Sequence, residues 1–293
     1  MLELIQQLSA LLVPVFAVLT MLNVGLTQTV AGISQHWRNW KFVLAMLVAN
    51  FVIAPLGMIA MLRMADLPPA HEAGLLVFAL CAGEPFLIKL TQTSGHEMAL
   101  GAAVMLLLMV ASVAYAPLVL PQLLEGLSVD AWAVAKALAL QLLLPIVIGM
   151  LAAKWLPAVV RRIQPCVAKG AGWALYAVIA TTLIGYVRYL IPIVTTGAVI
   201  PGLLFVLFAF AAGYLSAKIV SGKDHLEDIG GLGTAQRNSA AGMIIATQNF
   251  EAPEVMVMLT LANALGIVML LVIARYLSRD NAPPRVLDVT DAR

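Results

Sequence analysis

The sequence predicts an all-α polytopic membrane protein with about nine transmembrane helices, and three observations carry that prediction. Of the 293 residues, 62% are hydrophobic and only 11% are charged, where soluble chains sit near ~45–50% and ~25%. The mean hydropathy is +0.98. Apolar runs of the length that crosses a bilayer, roughly 20 residues, follow one another along the chain. A formal net charge of +2 gives no basis for nucleic-acid binding. Cys81 and Cys166 lie far apart and supply neither a disulfide framework nor a metal spacing. No cofactor and no metal are expected.

Polar or proline-containing breaks place the helices at 6–30, 40–63, 72–94, 97–123, 131–155, 170–190, 196–219, 228–249 and 253–277. The first is expected to be a retained helix without cleavage. Glu3 stands near its start and no Lys or Arg precedes Arg38, so the cationic segment of a signal peptide is missing. The third and eighth are weaker, because Gly, Pro and charge fall in mid-run. Trp37, Trp40, Trp132, Trp155 and Trp173 cluster near span ends, as an aromatic belt does.

Lys and Arg in the loops set the orientation. Arg38, Lys41, Lys154, Arg161, Arg162, Lys169, Lys218, Lys223, Arg275, Arg279, Arg285 and Arg293 fall on one side, and Arg63, Lys136 and Arg188 on the other. The richer side should be cytoplasmic, with the N-terminus outside and the C-terminus inside, which requires an odd number of spans. The chain divides into a first repeat of four helices (1–126), a second of five (127–279) and a disordered cytoplasmic tail (280–293) rich in Pro and alternating charge.

The third segment contains Cys81-Ala-Gly-Glu-Pro-Phe-Leu-Ile-Lys89 and the eighth Gly230-Gly-Leu-Gly-Thr-Ala-Gln-Arg-Asn-Ser239. Breaks are expected near 83–89 and 230–239. Non-helical backbone at bilayer depth must be buried in protein or line a wet cavity. The two segments run in opposite directions and each precedes one uninterrupted helix. That is the layout of an inverted repeat whose discontinuous helices meet near the midplane, where transporters bind substrate and ions. The plainer alternative is a pair of packed, kinked helices.

Glu84, Lys89 and Arg237 fall inside these spans, and each costs roughly 2.5–3.5 kcal/mol at a helix centre. They must therefore pair or line a pathway. A Glu84–Lys89 or Glu84–Arg237 ion pair would fix packing alone. Glu84 precedes Pro85, a favoured first helical residue, and a carboxylate suits a positive helix end. If Thr234 caps the second half-helix, Arg237 lies in its first turn, where the dipole disfavours a cation. A site that needs positive charge would explain it.

These features, with Met21-Leu-Asn-Val-Gly-Leu-Thr27, Gly95-His-Glu-Met-Ala-Leu100 and Arg237-Asn238-Ser239, resemble the bile acid:sodium symporter superfamily in its bacterial form. The resemblance extends over essentially all nine spans. It implies an inverted-repeat carrier in an inner (plasma) membrane, with helices three and eight crossing at the substrate site in a core domain packed on a panel domain. Carried over position by position, the family's sodium ligands fall on Leu87, Ile88, Gly101, Met105, Gly233 and Arg237, while Asn50 keeps an amide where the family has glutamine. An insertion would instead put Gln236 at the second glutamine position. Nearly every oxygen ligand is absent, so the resemblance supports the carrier fold and speaks against sodium coupling. The expected substrate-binding residues are Arg237, Asn238, Lys89, Glu84 and Asn23. The expected crossover or coupling residues are Asn50, Gln236, Gly233, Thr234 and Ser239.

Enzymatic readings find little support. Leu75 and Leu100 stand where zinc-protease helices starting at His71-Glu72 or His96-Glu97 need a second His. Ser239 lacks a nucleophile-elbow setting, and no phosphate-binding loop is present. Two classes remain: a secondary carrier for a small organic anion, and a non-transporting sensor or channel on the same scaffold. Polar residues concentrate at two crossovers instead of forming a continuous stripe, which favours the carrier. Its expected partners are the lipid bilayer, a small carboxylate-bearing, amphipathic anion, and a proton or counter-anion. Arg237 is expected to anchor the substrate, or alternatively to replace a sodium charge without touching it.

Overall fold

The computed structural model of the chain describes residues 2–123, 130–195, 197–222 and 226–280. Among these the regular elements are helical. The first half contains α1 (Leu2–Thr27), α2 (Val30–Ser34), α3 (Trp40–Val48), α4 (Ala54–Ala65), α5 (Pro69–Leu80), α6 (Phe86–Thr93) and α7 (Met98–Leu123). The second contains α8 (Ala131–Leu138), α9 (Leu144–Trp155), α10 (Pro157–Gly185), α11 (Val187–Thr195) and α12 (Ile200–Ser221). It ends with α13 (Glu227–Ala235), α14 (Ser239–Asn249) and α15 (Pro253–Asp280). The repeat boundary at 126–127, Lys223 and all of the expected tail beyond Asp280 lie outside the described residues.

Six helical stretches are long and apolar enough to cross a membrane: α1, α3–α4, α7, α8–α9, α12 and α15. A seventh arises if Pro157–Thr182 and Val187–Thr195, bent by 75°, count as one span. The two other expected spans are pairs of short helices, α5 with α6 and α13 with α14. These two are the segments expected to be broken; among the described residues six or seven stretches pass as continuous spans. Helix six also starts earlier than the apolar run at 170, because α10 takes in the polar turns that carry Arg161, Arg162 and Lys169.

Two long helices are interrupted by π-turns, Ala49–Ile53 between α3 and α4 and Ala139–Leu143 between α8 and α9. Each precedes a proline, Pro55 or Pro145. A proline lacks the N–H that would reach the carbonyl four residues back and its ring crowds that carbonyl, so the helix widens there.

Burial separates two kinds of helix. Leu44, Val48, Val52 and Leu56 are exposed at a spacing of one turn along α3–α4, an apolar stripe directed away from the protein. By contrast, α13 is buried from Asp228 to its end, and α14 from Ser239 to Ala246. The broken helices form the centre, and the long ones surround them. One wall consists of α1 against α9 and α10, and the rest pairs α12 with α13, α15 with α5, and α6 with α7.

The glycines of 230–233 do not mark the break. They are helical, within α13. A Cβ on Gly230 would stand 2.3 Å from the Ala217 Cβ, and one on Gly213 would stand 2.2 Å from the Gly230 carbonyl oxygen. Gly213 and Gly230 thus let α12 and α13 touch backbone to backbone.

Candidate functional site

The chain leaves α5 at Cys81 in extended conformation and leaves α13 at Gln236 in the same way. The first crossover turns at Gly83, whose φ is +85°. That conformation and the close approach to α7, where a Cβ would lie 2.3 Å from the Met109 nitrogen, both require glycine. The strips pair antiparallel through Ala82 and Arg237. Asn238 donates its backbone N–H to the Cys81 carbonyl at 2.9 Å and its side-chain amide to the Gly83 carbonyl at 2.9 Å. Its Oδ1 accepts from Ala241 N at 2.9 Å. Ser112 of α7 accepts from the Ala82 N–H at 2.8 Å and donates to the Ala82 carbonyl at 3.1 Å. The crossover thus satisfies much of its own backbone where lipid could not. The breaks fall at 81–85 and 236–238, narrower than the expected 83–89 and 230–239.

Thr234 does not cap the second half-helix. It lies in the last turn of α13, and Asn238 caps α14. Arg237 consequently precedes α14 and is not in its first turn. The side chain is 1% exposed, and its guanidinium donates to the Ala79 carbonyl at 3.1 Å and to the Thr234 carbonyl. Its Cζ lies 5.2 Å from the centroid of the Phe205 ring. Ala79 and Thr234 belong to the last turns of α5 and α13, whose free carbonyls carry the negative ends of both helix dipoles. One cation serves two such ends, and charge-assisted bonds of about 1.5–3 kcal/mol each offset its desolvation. Arg237 Nε makes no hydrogen bond.

Glu84 is the counterpart. It is 5% exposed, and its Oε2 accepts from the Ser239 hydroxyl at 2.8 Å and from the Ser239 N–H. A carboxylate does suit a positive helix end, as expected, but the end is that of α14 and not of its own α6. Among the described residues no ion pair joins Glu84 to Lys89 or Arg237.

A cavity of about 430 Å³ lies between the α1–α10 wall and the crossover with α14 and α15. Phe16, Leu175 and Ile179 give it apolar sides; Glu84, Lys89 and Ser239 give it charge and polarity. Lys89 is exposed and its ammonium donates to Gln92 Oε1 at 3.0 Å. Arg237 and Asn238 are not among the lining residues, nor are Asn50, Gly233, Thr234 and Gln236. Asn50 donates to Thr234 Oγ1 at 3.0 Å and to the Met46 carbonyl at 2.9 Å. Gln236 reaches the Arg237 carbonyl at only 3.4 Å. Asn50 Oδ1 and Gln236 Oε1 are buried without a donor. Gly233 faces Val104 and Met46. Asn23 stands apart, accepting from Gln164 Nε2 of α10 at 3.0 Å. The structure therefore gathers Glu84, Ser239 and Lys89 around a cavity, places Arg237 with Asn50 and Thr234 behind it, and leaves Asn23 outside both groups.

The sequence reading missed Ser112 and three cavity residues, Thr20, Thr260 and Asn263. Ser112 is the one serine in the apolar run of α7, and Thr260 and Asn263 share one helix face at a spacing of three. Both signals were present in the sequence.

The family model described as the sodium bile acid symporter family matches residues 14–216, a stretch that ends before the second crossover. The chain is 27% identical over 239 residues to the "Probable sodium/metabolite cotransporter BASS2, chloroplastic" of Oryza sativa subsp. japonica, covering 81% of this chain and 57% of that protein. It is 23% identical over 236 residues to the "Probable sodium/metabolite cotransporter BASS1, chloroplastic" of Arabidopsis thaliana, covering 80% and 59%. The chain thus spans less than two thirds of the length of either relative. With the family match extending over well more than half of its length, the chain belongs to the sodium bile acid symporter family.

Proposed function

We propose that the protein is a secondary carrier of a small, carboxylate-bearing amphipathic molecule, working by alternating access and not driven by sodium. The observation that carries the coupling is the Arg237 guanidinium on the Ala79 and Thr234 carbonyls. Half-helix C-termini and unwound carbonyls are where such carriers coordinate a coupling cation. Here the chain brings its own. Arg237 then serves as a tethered cation and not as the substrate anchor, and Lys89, on the cavity wall, takes the anchoring role as a compact point charge. A proton or an exchanged anion would supply the drive, with Glu84 the carboxylate on the cavity wall that can hold a proton.

In this reading residues 1–126 and 127–279 are inverted repeats, and the α1–α9–α10 wall moves against the crossover. The α10 wall begins just beyond Lys169, so the cavity lies on the Lys- and Arg-rich side, toward the cytoplasm of a bacterial cell. Two oxygens favour a second reading. Asn50 Oδ1, on a side chain bonded to Thr234, and Gln236 Oε1 lack donors and could complete a site for sodium in a conventional symporter.

Counterflow of candidate carboxylates in proteoliposomes free of sodium decides between them. Saturable exchange in potassium buffer supports the carrier without sodium. Exchange that appears only with sodium supports the second reading, and saturable binding without exchange supports a sensor.

A further inference from the structure

Glu84 and Lys89 bring opposite charges into one cavity without neutralising each other. Glu84 Oε2 takes both Ser239 donors, while among the described residues its Oε1 accepts no hydrogen bond. The Ser239 donors and the positive end of α14 are complementary to a carboxylate. Lys89 gives one of its three N–H groups to Gln92 and keeps two. Between them the walls are apolar, with Met243 and Ile267 facing Phe16 and Leu175 across the space. A simple organic anion drawn to Lys89 would meet the Glu84 carboxylate in the same low-dielectric cavity, where like charges repel strongly. A ligand carrying both signs satisfies both charges.

We propose that Glu84 and Lys89 are the two poles of the cavity and that its ligand is an amphipathic zwitterion, its anionic group toward Lys89 and an ammonium toward Glu84 Oε1. The proposal rests on reading the cavity as the substrate site and narrows its carboxylate to one accompanied by an amine. The ammonium neutralises Glu84 in place of a proton. Thr20 Oγ1, buried without a partner on a lining residue of the α1–α10 wall, offers one further polar contact.

The poles can be read without knowing the ligand. In a Cys166→Ser background, Met243→Cys puts a thiol on the cavity wall one turn beyond Ser239. Its reaction rates in permeabilised membranes are compared for methanethiosulfonates carrying trimethylammonium or sulfonate. The cation-to-anion rate ratio should fall at least about tenfold with Glu84→Gln and rise several-fold with Lys89→Gln. Thr260→Cys gives the same readout from α15 if Met243→Cys does not fold. A ratio that moves less than about twofold with Glu84→Gln overturns the proposal. If the sulfonate is then fast in every variant, the carboxylate-carrier reading survives without an acidic pole. If it is slow in every variant, that reading falls as well.

Discussion

The first crossover contributes a carboxylate, the second a guanidinium, and each charge is received by short helices of the other half of the chain, in the second case of both halves. Glu84 reaches across to the N-terminal end of α14. Arg237 reaches across to the C-terminal end of α5 while also holding that of its own α13. The two differ in what lies beyond them. Glu84 lines the cavity, and Arg237 is sealed behind the crossover against Phe205. Breaking two helices at bilayer depth creates dipole ends of both signs. This chain compensates the negative ends internally and leaves a charged group of its own at the positive end facing the cavity. One charge is thus sealed inside the packing and the other is open to the cavity.

Removing the guanidinium should have the largest effect. Arg237→Gln leaves the two helix ends without their cation, and the loss should be on the scale of two charge-assisted hydrogen bonds of about 1.5–3 kcal/mol each. Thermal unfolding of the purified protein reads it. Arg237→Lys should recover only part of the loss, because an ammonium cannot present a planar fork to two carbonyls. Ser112→Ala comes next. It strips the Ala82 N–H and carbonyl of their shared partner, which should cost about 1–3 kcal/mol. Glu84→Gln keeps an acceptor for Ser239 and should cost about 1 kcal/mol or less, yet it should abolish pH-driven accumulation and weaken exchange, because the ligand loses its acidic pole. A Glu84→Gln protein as unstable as Arg237→Gln would erase the distinction between the two crossovers. Asn23→Ala should be the mildest, within about 0.5 kcal/mol, with exchange intact. Loss of exchange there would mean that the Asn23–Gln164 contact belongs to the working site.

The broken segments and their charged residues were legible because Gly, Pro and charge in an apolar run are expensive in lipid. The position of the breaks was not. Thr234 and Asn238 are both capping residues, and only the tertiary arrangement decides that Asn238 caps α14 while Thr234 ends α13. The glycines misled in a similar way, since close helix packing and helix breaking ask for the same residue. The direction of Arg237 was equally hidden. Its long side chain can reach either face of the crossover, and the choice depends on the α5 end that the first half of the chain delivers. The exposure of Lys89 was hidden too, because an apolar run does not reveal an adjoining cavity.

The claim at the centre is that Arg237 occupies the place of a coupling cation, and the most direct measurement is thermal unfolding titrated with sodium against potassium at constant ionic strength. A ligand that binds only the folded state raises stability with its concentration. The wild-type protein should show the same midpoint in both salts, and Arg237→Gln, with its two helix ends vacated, should gain a sodium-specific rise. A wild-type midpoint that climbs with sodium and not with potassium would contradict the account.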